Sequence, residues 1–228
     1  MKDSLRNRLI WLVVFSIAMG FLEAAVVIYL RELYYPNGFV FPLVLMSDTN
    51  ALVELLREAA TIIMLLGLGM LAGRTYNERF AFFISSFAIW DIFYYVFLKL
   101  FLGWPDSFLT WDILFLIPVP WIGPVIDPII ISLTMILLAA CLVYRDQQST
   151  SIRIDKKEWS LLITGSLVVI GSWTWEYLQY SFAAIDPMDA MDALNTFVPQ
   201  TYSWMIFWIG EGLLLLAIAL FWRRTKVN

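Results

Sequence analysis

Glu23, Glu54, Glu58, Asp91, Glu176 and Glu211 stand inside or beside long apolar runs of this 228-residue chain, with Arg57 and Lys99 among them. A charge at the centre of a membrane helix costs roughly 2.5 to 3.5 kcal/mol, and an ionisable residue kept there is by default a functional hypothesis. Carboxylates in such a place can act as general acid and base. Arg57 and Lys99 could hold an anionic headgroup.

Their spacing assigns them to helix faces. Glu54, Arg57, Glu58 and Thr61 fall at i, i+3, i+4 and i+7, which stacks them on one stripe with an internal ion pair and a spare carboxylate. Asp91, Tyr95 and Lys99 repeat every fourth residue with Tyr94 adjacent, as do Ser172, Glu176 and Tyr180. Glu211 lies between Gly210 and Gly212, glycines of the kind that let another backbone approach. Lipid-facing positions cannot hold charge cheaply, so all these stripes are expected to turn toward one interior. Asp91, Glu211, Glu58 and Glu176 are the expected catalytic groups, and Arg57, Lys99, Glu23, Glu54 and Tyr95 the expected substrate-binding ones. The competing structural account makes Glu54 with Arg57, and Asp91 with Lys99, simple packing pairs. Two bases cannot neutralise six acids, so that account leaves an excess. Asp112 and Asp127 suit capping or solvated-loop roles as well as the site, and Asp186, Asp189 and Asp192 suit a solvated acidic surface.

The elements that must position these residues are legible in composition. The chain is 61% hydrophobic and 15% charged, against about 45 to 50% and 25% in soluble domains. Crossing a hydrocarbon core takes about 20 apolar residues. Six runs qualify, roughly 9–30, 51–73, 80–102, 125–144, 159–182 and 202–222. The expectation is an all-α integral membrane protein, a six-transmembrane-helix bundle forming a single transmembrane domain over 1–228. The first run follows Lys2, Arg6 and Arg8 but is too long for a signal h-region and has no small-residue cleavage site, so it reads as a retained helix.

Twelve of the fifteen basic residues sit at the two termini or in the connections near 74–79 and 145–157. Positive-inside bias makes all four places cytoplasmic, with both termini inside and the chain in the cell inner membrane. The three connections on the other side carry one base, Arg31, and all nine prolines fall in them or at their edges. The apolar stretch from Trp111 to Trp121 is too short to span. It reads as a re-entrant or interfacial segment near 106–122, tolerated where protein or a water-filled cavity satisfies its backbone. Trp104, Trp111, Trp121 and Trp204 suit an outer aromatic belt. By helical rise, Glu23 and Glu176 lie in the outer third, Glu54 and Glu58 within about 10 Å of the outer surface, and Asp91 and Glu211 near the midplane.

There is no histidine and one cysteine, Cys141. Histidine-based triads, imidazole ligands and disulfides are therefore excluded, and only oxygen could ligate a metal. No metal site is assigned and no cofactor is named. Phosphate loops, nucleophile elbows and paired diphosphate-binding aspartates are absent, and no nucleic-acid partner is expected. Three function classes remain. The first is an enzyme acting from an outward-facing, carboxylate-lined cavity on a lipid or isoprenoid-like amphiphile. The second is an accessory or assembly subunit meeting partner subunits of a larger membrane complex. The third, a small-solute or cation transporter, needs polar groups on both halves, and the cytoplasmic half lacks them.

Overall fold

The computed structural model describes residues 2–149, 152–183 and 195–226. Six helices among them are long and apolar enough to cross a membrane. They are α1 (Lys2–Tyr34), α2 (Asp48–Ala72), α3 (Tyr76–Leu102), α4 (Ile126–Gln148), α5 (Lys156–Ala183) and α6 (Trp204–Arg224). Local chemistry sets several of their ends. Ser47 caps α2 by accepting from the Asn50 N–H, and Thr75 caps α3 by accepting from Glu78 N–H at 3.1 Å. Gly103 ends α3 in the left-handed region at φ 68°, which a side chain would resist.

Large apolar side chains face outward along the spans, as lipid requires; Leu71 is 90% and Phe182 83% exposed. Inside, α3 is the central post, with α1, α2 and α4 packed along it, while α5 and α6 pack on each other. Helices α1 and α2 barely touch. Gly20 on α1 rests against α3 so closely that a Cβ there would lie 2.8 Å from the Trp90 carbonyl oxygen. At the α5–α6 crossing a Cβ on Gly210 would come within 2.9 Å of Gly165 O, whereas Gly212 meets nothing. One core cluster, including Leu12, Phe82, Leu142, Val169, Trp173 and Phe207, joins α1, α3, α4, α5 and α6.

The segment expected to be re-entrant or interfacial folds as a β-hairpin. Strands β1 (Trp111–Phe115) and β2 (Trp121–Pro124) pair antiparallel, with Asp112 opposite Gly123 and Ile113 opposite Ile122. Tryptophan, isoleucine and phenylalanine favour a pleated surface, and Pro118 and Pro120 between the strands cannot sit inside a helix. Pairing also gives the backbone partners without water. The hairpin packs on α5, where Trp121 stacks on Trp173 at 5.6 Å. Trp104, Trp111 and Trp121 are thus half-buried in ring contacts, and of the four tryptophans expected in a belt only Trp204 reaches 36% exposure.

The two ends of the bundle differ. At the end holding both termini, Arg8 of α1 makes a fork on Glu78 of α3 at 2.7 and 2.9 Å and also donates to Ala72 O. Arg224 of α6 grips Glu158 of α5 with two bonds of 2.8 Å, and Asp155 and Glu158 cap α5 reciprocally. Asp146 accepts from Thr75 and Asn77. The opposite end carries the hairpin, the 35–47 connection and the candidate site.

Candidate functional site

The α2 stripe forms as its periodicity implies. Glu54, Glu58, Thr61, Leu65 and Gly69 are its buried face. Arg57 sits at the edge of that face, and its Nε and Nη2 donate to the two oxygens of Glu54 at 2.9 and 2.6 Å. Its Nη1 pairs with Glu23 of α1, so one guanidinium bridges α1 and α2 where those helices hardly meet. Glu58, one turn on, is 6% exposed and meets no base. Its Oε2 accepts the Leu116 backbone N–H at 3.0 Å, which ties the hairpin to α2. Its Oε1 has no hydrogen-bond donor among the described residues.

Opposite, α3 presents Asp91, which accepts from the Ser132 hydroxyl of α4 at 2.9 Å and also has no basic partner. One turn on, the Tyr95 hydroxyl donates to Asp112 Oδ2 at 3.1 Å. Asp112 is 2% exposed at the start of the hairpin, and its Oδ1 receives Arg31 Nη2 at 3.2 Å. Burial pushes the Asp112 carboxyl up from 3.8 to about 6, although Arg31 and the Tyr95 hydroxyl pull the other way. The Arg31 guanidinium lies on the Trp104 ring at 3.7 Å and the Phe39 ring at 4.5 Å. Phe39 in turn packs on Tyr35 and Phe41, and Tyr35 accepts the Val44 N–H at 2.8 Å, which holds the 35–47 connection over the helix ends.

Together these groups line a cavity of about 430 Å³, within the range of small-ligand sites. Helix α1 contributes Glu23, Val27, Leu30, Arg31 and Tyr34, residues spaced along one helical face; α2 adds Glu54, Leu55, Arg57 and Glu58; α3 adds Trp90, Asp91, Tyr94 and Tyr95. Asp112 to Leu116 of the hairpin, Leu43 to Met46 of the connection, Asp48 of α2, Tyr177 of α5 and Asn195 also line it. Glu23, Glu54, Arg57, Glu58, Asp91 and Tyr95 are therefore brought together as a sequence-derived set.

Lys99, Glu176 and Glu211 are not brought to that cavity. Lys99 is exposed and donates to the Gly103 and Pro105 carbonyls at 2.7 and 2.8 Å, which caps the C-terminus of α3. Glu176 accepts the backbone N–H groups of Gln200 and Thr201 at 2.9 and 3.1 Å, and Tyr180 bonds Thr196, so the α5 stripe secures the return of the chain into α6. Glu211 faces α4, where the Thr134 hydroxyl donates to one oxygen and the other is buried without a partner. Asp127 is fully buried beneath the hairpin and takes Trp173 Nε1 at 3.2 Å. Burial, then the nearby Asp127 charge, pushes the Tyr202 phenol up. Asp186, Asp189 and Asp192 lie outside the described residues.

Arg31 lines the cavity although its place in the sequence did not suggest it, and Asp112, which suited a capping or solvated-loop role as well as the site, lines it too. The available signal for Arg31 was its isolation as the lone base in the segments 31–50, 103–124 and 183–201. Nothing local could pair it with a residue 81 positions away. Among the described residues no three acidic or cysteine side chains converge closely enough to hold a metal ion. No protein-family model, curated protein or solved structure matches the chain.

Proposed function

We propose that this multi-pass membrane protein is an inner-membrane enzyme, its termini cytoplasmic and its cavity on the outer side, that performs acid–base chemistry on an amphiphilic substrate. The observation that carries this reading is the state of Glu58 and Asp91. Both face one cavity from different helices, and neither is tied to a base, whereas Glu23, Glu54 and Asp112 are all ion-paired. A carboxyl group free of a cationic partner can take a proton from a bound molecule or hand one over. Glu23, Glu54 and Arg57 then position the α2 wall, and Tyr95 positions Asp112. The apolar lining of Val27, Leu30, Leu55 and Leu114 suits an alkyl or isoprenoid chain. The slight contact between α1 and α2 supports entry of such a chain from the bilayer.

The test is comparative mass spectrometry of membrane lipids from cells that make the wild-type chain, no chain, or the Glu58→Gln, Asp91→Asn double variant at equal abundance. The expected result is an amphiphile whose amount changes only with the wild type. Identical profiles in all three would overturn the reading.

A second reading, an accessory subunit of a larger membrane complex, is favoured by Phe108 and Leu109. They stand 63% and 64% exposed in the connection before the hairpin, beyond the end of α3. Stable co-purification lost on Phe108→Ser, Leu109→Ser substitution would support it.

A further inference from the structure

We infer that the head of the cavity's ligand is positively charged: an alkyl amine or quaternary ammonium rather than a phosphate or a neutral alcohol. The inference rests on the cavity serving an amphiphile and adds the class of that amphiphile.

Charge inside the cavity is lopsided. Among the described lining residues, two guanidinium groups, Arg31 and Arg57, stand against five carboxylates, Glu23, Glu54, Glu58, Asp91 and Asp112. Asp48, at the exposed start of α2, adds a further acid to the lining. Both arginines are already engaged. The Arg57 guanidinium uses Nε, Nη1 and Nη2 on Glu54 and Glu23. That of Arg31 is paired with Asp112 and stacked on Trp104 and Phe39, and its unpaired Nη1 is closed off from solvent and cavity alike. An anionic head would therefore have to displace an existing ion pair to find a cation. Lys99 offers no help, because it caps α3 outside the cavity.

A cationic head meets the opposite situation. Glu58 is buried and keeps Oε1 unengaged, and Asp91 has only a serine hydroxyl for a partner. Such groups are costly to keep dry without a counter-charge. The rings of Trp90, Tyr94 and Tyr95, on the same turns of α3 as Asp91, add aromatic faces of the sort that attract ammonium groups. Apolar lining from α1, α2 and the hairpin receives the tail.

The test uses hexyltrimethylammonium, hexyl phosphate and hexanol, matched probes soluble as monomers, titrated calorimetrically into the full chain reconstituted in nanodiscs of neutral lipid. Hexyltrimethylammonium should bind at least ten-fold more tightly than either of the others. The Glu58→Gln, Asp91→Asn double variant should lose that margin, and Asp106→Asn, an exposed acid outside the cavity, should keep it. Tighter binding of hexyl phosphate, equal binding of hexanol, no binding at all, or a margin surviving in the double variant would each overturn the inference. The lipid profiles separate this outcome from the enzymatic reading. Turnover without cation preference removes only the substrate class, and cation binding without turnover removes only the enzyme.

Discussion

The two ends of the bundle use the same residue types in opposite ways. At the end with the termini, Arg8 meets Glu78, Arg224 meets Glu158 and Asp155, and Asp146 is satisfied by Thr75 and Asn77. At the cavity end Arg57 alone serves two glutamates, Arg31 serves Asp112, and Glu58 and Asp91 are left with a backbone N–H and a hydroxyl. Balanced pairs close helix ends and need nothing from outside. The unbalanced set sits around an open volume, which is where the proposed ligand would supply the missing charge.

The largest effects should come from breaking one pair at each end. Arg8→Ala strands Glu78, and Arg57→Ala strands Glu23 and Glu54; removing one partner of a buried pair costs about 3 to 5 kcal/mol. Both variants should lose that much in unfolding experiments in detergent, seen also as reduced membrane abundance. Only Arg57→Ala should in addition reduce ligand binding per folded molecule, because only its wall lines the cavity. Equal binding losses would erase the distinction between the ends.

Glu58→Gln and Asp91→Asn sharpen it from the other side. Each keeps shape and removes charge where no ion pair is broken, so folded yield should stay within about 1 kcal/mol of wild type. Lipid conversion should fall about 100-fold, equivalent to about 2.7 kcal/mol of transition-state stabilisation. Unfolding midpoints beside the lipid profiles give both numbers from one set of membranes.

Asp112 adds a pH signature that belongs to the cavity end. Its carboxyl titrates near 6 in the folded chain against an ordinary 3.8, so between those values the folded state holds a proton that the unfolded state has released. Its contribution to stability is accordingly largest below about pH 4 and falls as pH rises through that window to about 6. The difference in unfolding midpoint between wild type and Asp112→Asn should change from pH 4 to 6 and level off above it. A difference constant across that range would place the carboxyl in water.

The smallest effect is expected at Lys99. Lys99→Ala removes a charge from the last turn of α3 and two bonds to exposed carbonyls, a loss of about 0.3 to 1 kcal/mol. Thermal unfolding resolves this. A loss as large as that of Arg57→Ala would mean that Lys99 carries a buried partner.

What could be read in the chain was whatever depends on neighbours within a few turns. Six apolar runs dictated six helices, because a backbone in lipid must satisfy itself. The spacing of Glu54, Arg57 and Glu58 dictated a common face and an internal pair, because 3.6 residues make a turn. The failure of 106–122 to span followed from its length and prolines; that it becomes a hairpin depended on pairing two strands against α5. Tertiary structure alone decided which stripes meet. Asp91 and Glu211 count to similar depths, yet α3 turns Asp91 to the cavity and α6 turns Glu211 to Thr134 of α4. Lys99 shares a stripe with Asp91 but lies on the final turn, where exposed carbonyls outcompete a carboxylate two turns away. Arg31 of α1 and Asp112 find each other only because α1 packs on α3, whose Tyr95 also bonds Asp112, and no local periodicity encodes a contact across 81 residues.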